Sequence, residues 1–455
     1  MSIVSHSTDQ NKPEIVRRFF KEWRIGQLLR EARISKEKGI PVLRIFEFVF
    51  LLLFQNTVLY RAFEQDVSKK LGFAKDTVYR FFESTSSNWE RFLLFLSAKI
   101  IAKSIAPLTS RDRKCAFVVD DTIYERPRSK KVELLSRLFD HMDGLYKRGL
   151  RMLTLGWTDG NTFLPLALRM LASSKKSNRY CEARDDLDRR TNGAKRRKQA
   201  LLSKPVLLLE MLKQALAAGI EASYVLFDSW FAMPNTIHKI HQMGLDVITR
   251  VKANHWNCYC FRGKRMPLES LYRLTAGAHQ HTYSLRADLF YGEVAIPVRI
   301  VFIKAPKNKR GWIALLSTDM TLDDVEIIRM YGKRWDIEVF FKACKSDLAL
   351  ETGIQARNYD AIVAYTTIVC TRYIMLSLHA RLADDVRSWG DLLYLCYAEM
   401  IDISFQQAVA LLFDLVACKI SNSFSISLEL VKRAISDLSG ACTFTGFAQV
   451  RVCES

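Results

Sequence analysis

Cys115-Ala-Phe-Val-Val-Asp120-Asp121-Thr122 is an apolar, partly β-branched run that stops in two acids, and Ala222-Ser-Tyr-Val-Leu-Phe-Asp228-Ser-Trp230 repeats the design. Short continuous apolar runs read as strands buried on both faces, the habit of an α/β sheet. Such sheets place their sites at the C-terminal edge, where these acids fall. One strand-end Asp is ordinarily a turn or cap residue. Two at one edge gather negative charge, and a third carboxylate comes from Tyr331-Gly-Lys-Arg334-Trp-Asp-Ile-Glu338-Val-Phe-Phe-Lys-Ala-Cys-Lys345. Read as one helix at about 100° per residue, this segment turns Tyr331, Arg334, Glu338 and Lys345 to nearly one direction. A packing seam at that spacing carries Leu or Ile; an aromatic hydroxyl, two cations and an acid are the wrong chemistry for one. A solvated face with i,i+4 ion pairs is the plain alternative for the helix taken alone.

Carboxylates brought together repel unless cations sit between them, and hard oxygen ligands suit Mg²⁺ or Mn²⁺. Paired ions about 3.5–4 Å apart are the usual arrangement for in-line attack on a phosphodiester. No nucleophile–His–acid set and no Gly-rich phosphate loop competes for the role.

On these residues the chain resembles the DDE transposases of bacterial insertion sequences, specifically the insertion-sequence-four family. The likeness rests on Asp121-Thr122, on Asp228 and on the ungapped Tyr-x2-Arg-x3-Glu-x6-Lys signature from Tyr331 to Lys345. It extends to Asp140-His-Met-Asp-Gly144 and Leu155-Gly-Trp-Thr-Asp-Gly-Asn-Thr-Phe-Leu-Pro165, and covers roughly residues 110 to 350. The resemblance implies a ribonuclease H-like catalytic core with Asp121, Asp228 and Glu338 as metal ligands for two Mg²⁺, Mn²⁺ substituting. It also implies cut-and-paste movement of DNA, a hairpin intermediate and a homodimer on paired ends. Sharing the face of Glu338, Tyr331, Arg334 and Lys345 are expected to contact DNA phosphates. The family's first Asp precedes Thr or Ser, which favours Asp121 over Asp120, the alternate ligand. Strand alternation does not decide between them, because Ala116/Val118 and Phe117/Val119 make both faces apolar. Two rival readings are a ribonuclease H-like nuclease or resolvase without strand transfer, and a domesticated, non-catalytic DNA-binding regulator.

Composition agrees with a DNA partner. The 455 residues suffice for two or three domains, and 49% hydrophobic with 25% charged residues is ordinary for a globular chain. The formal charge of +20 and a pI near 9.5 point to a polyanion, for which double-stranded DNA, as terminal inverted repeats and target, is the expected partner. Ten scattered cysteines, the closest being Cys258 and Cys260, show no zinc spacing and suit a reducing cytoplasm. His238 and His241 lie one turn apart without an acid or thiolate set to complete a metal site. The apolar windows 42–54 and 362–378 are interrupted by Arg44, Glu47 and Arg372, and read as buried helices rather than membrane spans.

Residues 1–109 read as a helical DNA-binding domain. Within it, Phe63 to Leu71, Gly72 and Lys75 to Phe82 resemble a helix-turn-helix that presents Lys75, Thr77 and Arg80 to DNA. Residues 110–252 and 321–350 form the expected core. The intervening 253–320 reads as a β-rich insertion, with Trp256 a candidate for stacking on a displaced base or else a core residue. Lys195-Arg196-Arg197-Lys198 reads as a solvated loop that contacts phosphates in a DNA-gripping chain. Thr321-Leu-Asp-Asp324 is the expected cap of the helix carrying Glu338. Residues 351–455 read as a helical region for packing or dimerisation.

Overall fold

The computed structural model describes residues 12–64, 72–110, 113–141, 143–253, 258–275, 282–304, 311–382, 416–417, 420 and 427–433. The elements below, Glu14 apart, belong to one compact unit, Ile15–Leu393; a separate unit holds a short helix over 428–433.

Helices come first: α1 (Glu14–Glu22), α2 (Ile25–Glu31), α3 (Val42–Leu52), α4 (Leu59–Glu64), α5 (Lys75–Phe82) and α6 (Trp89–Ile100). Their apolar faces meet in an aromatic cluster where Phe46 contacts Phe20, Trp89 and Phe92 at ring-centroid distances of 5.5–6.4 Å. Asn88 caps α6 by accepting from Arg91 N. Gly72 has φ +72°, the left-handed conformation that a tight turn into α5 needs and that glycine adopts without strain.

From residue 116 the period changes from helix to strand. β1 (Ala116–Glu125), β2 (Ser136–Asp140), β3 (Leu145–Thr158) and β4 (Phe163–Leu171) precede α7 (Asn192–Gln199), α8 (Lys204–Ala217), β5 (Tyr224–Phe227), α9 (Pro234–His241) and β6 (Asp246–Val251). β1, β5 and β6 are parallel neighbours, as their continuous apolar runs require, and β3 lies antiparallel on the other side of β1. β3 is long enough to pair with β2 through its first half and β4 through its second.

The segment expected as an insertion holds β7 (Cys258–Phe261), β8 (Lys264–Pro267), α10 (Leu268–Thr275), β9 (Thr282–Tyr291), β10 (Val294–Lys304) and β11 (Trp312–Ser317). These strands continue the same sheet: β11 pairs antiparallel with β6, then β10, β9, β7 and β8 follow in order. Alternating apolar positions on β9 and β10 bury one face of this extension.

α11 (Asp324–Gly332), α12 (Trp335–Ser346) and α13 (Tyr359–Leu382) complete the unit. α13 is long and apolar enough to cross a membrane, yet every residue from Tyr359 to Leu378 is buried against protein. It packs on α6, β4, α5, α3 and α12. Arg372, the charge that interrupts its apolar run, is 1% exposed and donates to the carbonyls of Phe50 (3.1 Å), Val49 (2.5 Å) and Leu348 (3.4 Å). A buried cation is tolerated here because its donors meet carbonyls of elements that α13 holds together.

Candidate active site

β1 does not stop at its acids. Thr122-Ile-Tyr-Glu125 carries the strand past them, paired with β3 as far as Gly149, so Asp120 and Asp121 sit mid-strand. β5 does end before its acid: Asp228 Oδ1 accepts from Trp230 N (2.9 Å) and its carbonyl from Phe231 N (3.2 Å), a turn that closes the strand. The parallel register aligns Phe117 with Val225 and Val118 with Leu226. Continued by two residues, it sets Asp120 level with Asp228 on one face and sends Asp121 to the other.

The side chains follow that division. Asp120 Oδ2 accepts from Arg334 Nη1 at 2.9 Å, and Arg334 Nη2 donates to Glu338 Oε1, so one guanidinium bridges the two carboxylates. Burial pushes the Asp120 carboxyl up to about 7; Arg334 opposes the rise, and the charges of Asp121 and Asp228 add to it. Arg334 Nε is buried and has no acceptor among the described residues. Tyr331 lies against the guanidinium, 5.7 Å from its ring centre, with a hydroxyl raised by burial and by the Asp228 charge.

Asp121 instead receives 2.7 Å from Arg151 Nη1 and a close contact from Lys204 Nζ. Lys204 lies 4.0 Å over the Trp230 ring, and burial pulls its ammonium down while Asp121 opposes this. The acid next to Thr122 is therefore neutralised within the chain, whereas the acid expected as its alternate faces Glu338 and Asp228.

The helix expected without interruption from Tyr331 to Lys345 is two helices. Arg334 N bonds to Tyr331 O (3.0 Å) and Asp336 N to Lys333 O (3.2 Å), i→i+3 contacts of a tightened turn after Gly332. The stripe survives for Tyr331, Arg334 and Glu338. Lys345 is turned inward to the Ile123 carbonyl (2.7 Å) and Glu351 (3.5 Å) rather than presented to a ligand. Asp323, inside the expected cap, is the N-cap of α11, and with Glu326 it forms a capping box.

The basic run at 195–198 needs the clearest correction. It lies on α7, not in a loop, and its two arginines point inward. Arg197 pairs with Glu133 (2.5 Å) and Asp360 (2.7 Å), and Arg196 with Asp360 (2.5 Å). Burial disfavours a charged Glu133, but Arg197 and the Arg184 and Tyr359 amides hold it below its ordinary value. Only Lys195 and Lys198 of the four are exposed. On α5, Lys75 is half-buried, 4.9 Å over the Tyr60 ring, Thr77 is half-buried and Arg80 exposed, its Nε donating to Asp76 O. Residues 65–71, which would complete the first helix of that motif, and Trp256 lie outside the described residues.

Sequence reasoning missed Arg151 and Lys204, the cations paired with Asp121. Nothing in their spacing sets them apart, since they reach the site by strand pairing and by the start of α8. Among the described residues no three His, Cys, Asp or Glu side chains converge closely enough to hold a metal ion; the Arg334 guanidinium lies between two of the candidates.

Two family models match this chain. The DDE superfamily endonuclease model covers residues 64–261, which include Asp120, Asp121 and Asp228. The archaeal transposase ISC1217 model covers residues 189–380, which include Asp228 and the segment from Tyr331 to Lys345. No curated protein matches. Matched on both sides of the acid cluster, the chain is supported as a DDE-type nuclease or transposase.

Proposed function

We propose that this protein is a transposase of the insertion-sequence-four type, cutting and joining double-stranded DNA by metal-dependent phosphoryl transfer on a ribonuclease H-like core. The observation that carries the reading is the register of β1 on β5, which continued by two residues sets Asp120 level with Asp228, together with the Arg334 bridge from Asp120 to Glu338. Asp120, rather than Asp121, is our first ligand, because Asp121 is already matched by Arg151 and Lys204. The chemistry of the donor set suits a divalent ion: three hard carboxylates, two of them bridged by Arg334, would close on a metal once that guanidinium withdraws from between them. Bound there, Mg²⁺ or Mn²⁺ would activate water or a DNA 3′-hydroxyl and stabilise the leaving oxygen.

The chain's own residues do the rest. Asp120 within β1, Asp228 just after β5 and Glu338 on α12 supply the negative charge. Arg334, released from the two acids, exchanges carboxylate oxygens for phosphate oxygens, a trade its fork of donors suits and its unpaired Nε favours. Tyr331 lends its hydroxyl to the same phosphate. We further read residues 1–109 and 351–455 as DNA-binding and dimerisation regions, cutting as proceeding through a hairpin, and the protein as acting in the bacterial cytoplasm.

The test is product analysis with Mg²⁺ on DNA carrying the element's ends, which the sequence flanking the gene supplies. Asp120→Asn, Asp228→Asn and Glu338→Ala should each lose cleavage at least about 10³-fold while binding DNA as before. Near wild-type cutting by any of them would overturn the three-acid assignment. Nicks without joined strands would select the second reading, a nuclease without strand transfer, which the endonuclease description of one family match favours.

A further inference from the structure

The sequence Arg126-Pro-Arg128-Ser-Lys130-Lys131 follows directly on β1, and its cations are spent differently from those on α7. The loop forms one wall of an open cavity of about 860 Å³; residues 351–357 form the other. Both walls are fixed. Arg126 donates to the carbonyls of Glu351 and Ile354 across the cleft and to the Tyr124 hydroxyl. Arg148 Nη1 donates to Ser129 O at 3.1 Å, and Glu133 N to Arg357 O at 2.9 Å.

On this frame stand Arg128, Lys130, Lys131 and Arg357, all exposed. Among the described residues none of the four side chains forms an ion pair or hydrogen bond. The two acids of the lining have partners within the chain: Glu125 shares Lys147 (3.0 Å) with Asp140 and Asp143, and Glu351 meets Lys345 at 3.5 Å and Glu125 N at 3.0 Å. The cleft thus presents a surplus of free positive charge on a rigid support. Four unpaired like charges against two acids that already have partners favour the arrival of an anion, and their spread over two walls fits a chain of anions better than a single one.

Position adds direction. Glu125 opens the cleft five residues beyond Asp120 on one continuous strand, about 16 Å at the rise of a β-strand. Successive phosphates of one DNA strand follow a helical path longer than its axial rise, so that separation spans only a few nucleotides. We propose that this cleft binds the phosphodiester backbone of duplex DNA a few nucleotides from the phosphate cut at the acid site, with Arg128, Lys130, Lys131 and Arg357 as its contacts. The proposal rests on the transposase reading and names a DNA subsite for it.

The test uses the full chain and duplex DNA carrying the element's ends. Replacing Arg128, Lys130 and Lys131 together with Ala should lower affinity at 0.15 M salt at least about tenfold and flatten the log–log salt dependence by about 2.7, some 0.9 per lost phosphate contact. Arg357→Ala should flatten it by about 0.9, and Arg357→Lys should restore it. A neutral methylphosphonate linkage walked along the duplex should weaken wild-type binding most a few nucleotides from the cut, and have no effect there on the triple variant. An unchanged melting temperature separates these losses from misfolding.

If wild type binds and cuts while the triple variant keeps the wild-type slope and linkage profile, the cleft assignment fails and the acid site stands. Loss of affinity for duplex RNA alone would also overturn it. If wild type neither binds nor cuts the DNA, the transposase reading falls and the cleft assignment with it.

Discussion

Two basic runs of this chain look alike on paper and behave as opposites in the fold. In Lys195-Arg196-Arg197-Lys198 both arginines turn inward and meet Glu133 and Asp360, binding α7 to α13 and to the loop before β2. In Arg126-Pro-Arg128-Ser-Lys130-Lys131 one arginine holds the backbone and the other cations stand exposed without partners. A run of charge in a sequence therefore identifies neither a DNA contact nor a solvated face. What decides is whether the fold brings an acid within reach. The acid cluster lies between these extremes, since Arg334 is paired within the chain but to carboxylates proposed to need another cation.

The comparison breaks most readily at Arg197. Arg197→Ala leaves Glu133 buried without its cation and Asp360 with Arg196 alone, and should cost about 3–5 kcal/mol, read from denaturant melts. Loss under 1 kcal/mol would mean that this network is as dispensable as a surface pair. The salt dependence of DNA binding by the protein that remains folded should not change, because Arg197 is 4% exposed.

Arg334 should give an intermediate effect that depends on metal. In EDTA, Arg334→Ala leaves Asp120 and Glu338 facing each other without a cation and should lower stability by about 1–3 kcal/mol. Millimolar Mg²⁺ should recover most of that loss, measured as a shift in melting temperature. A variant equally destabilised with and without Mg²⁺ would separate Arg334 from the proposed metal site.

Asp120 supplies a pH test of the same cluster. Its carboxyl is raised to about 7 from an ordinary 3.8, so the folded state keeps a proton that the unfolded state gives up. The stability this contributes is complete below about pH 4 and is lost as pH rises through 7. In EDTA the melting temperature of Asp120→Asn should therefore gain on wild type between pH 4 and 8. A pH-independent difference would place Asp120 in a more open setting than the structure shows.

The smallest stability effect belongs to the cleft. Removing Arg128, Lys130 and Lys131 should alter stability by less than about 0.5 kcal/mol, because exposed cations without partners stabilise nothing by staying. A large loss in melts of the triple variant would erase the contrast with α7.

Much of this was legible in the sequence. The apolar runs ending at Asp120 and Phe227 are strands, residues 204–217 are a helix, and the acids at 323 and 326 cap α11, because local patterns fix these locally. Less legible was anything set by pairing at a distance. The alignment of Asp120 with Asp228 follows from the register of β1 on β5, and both faces of β1 are apolar, so no pattern within the strand shows which acid faces Glu338. The break at Lys333 and Arg334 is a change of backbone bonding from i→i+4 to i→i+3 that leaves the polar stripe almost in place. Arg372 reads as a charge interrupting an apolar helix, and its reason is three carbonyls far away in sequence.

The strands of residues 258–317 form one sheet with β6, and this bears on any attempt to trim the enzyme. Excising 253–320 would uncover the edge of β6 along Val247, Ile248 and Val251, a row of unpaired amides and carbonyls flanked by apolar side chains. The product would be less a minimal nuclease than a template for self-association, with Asp228 one strand from the exposed edge. A shortened form that stays soluble therefore needs a replacement strand for β11, or charges set into β6, before its chemistry is assayed.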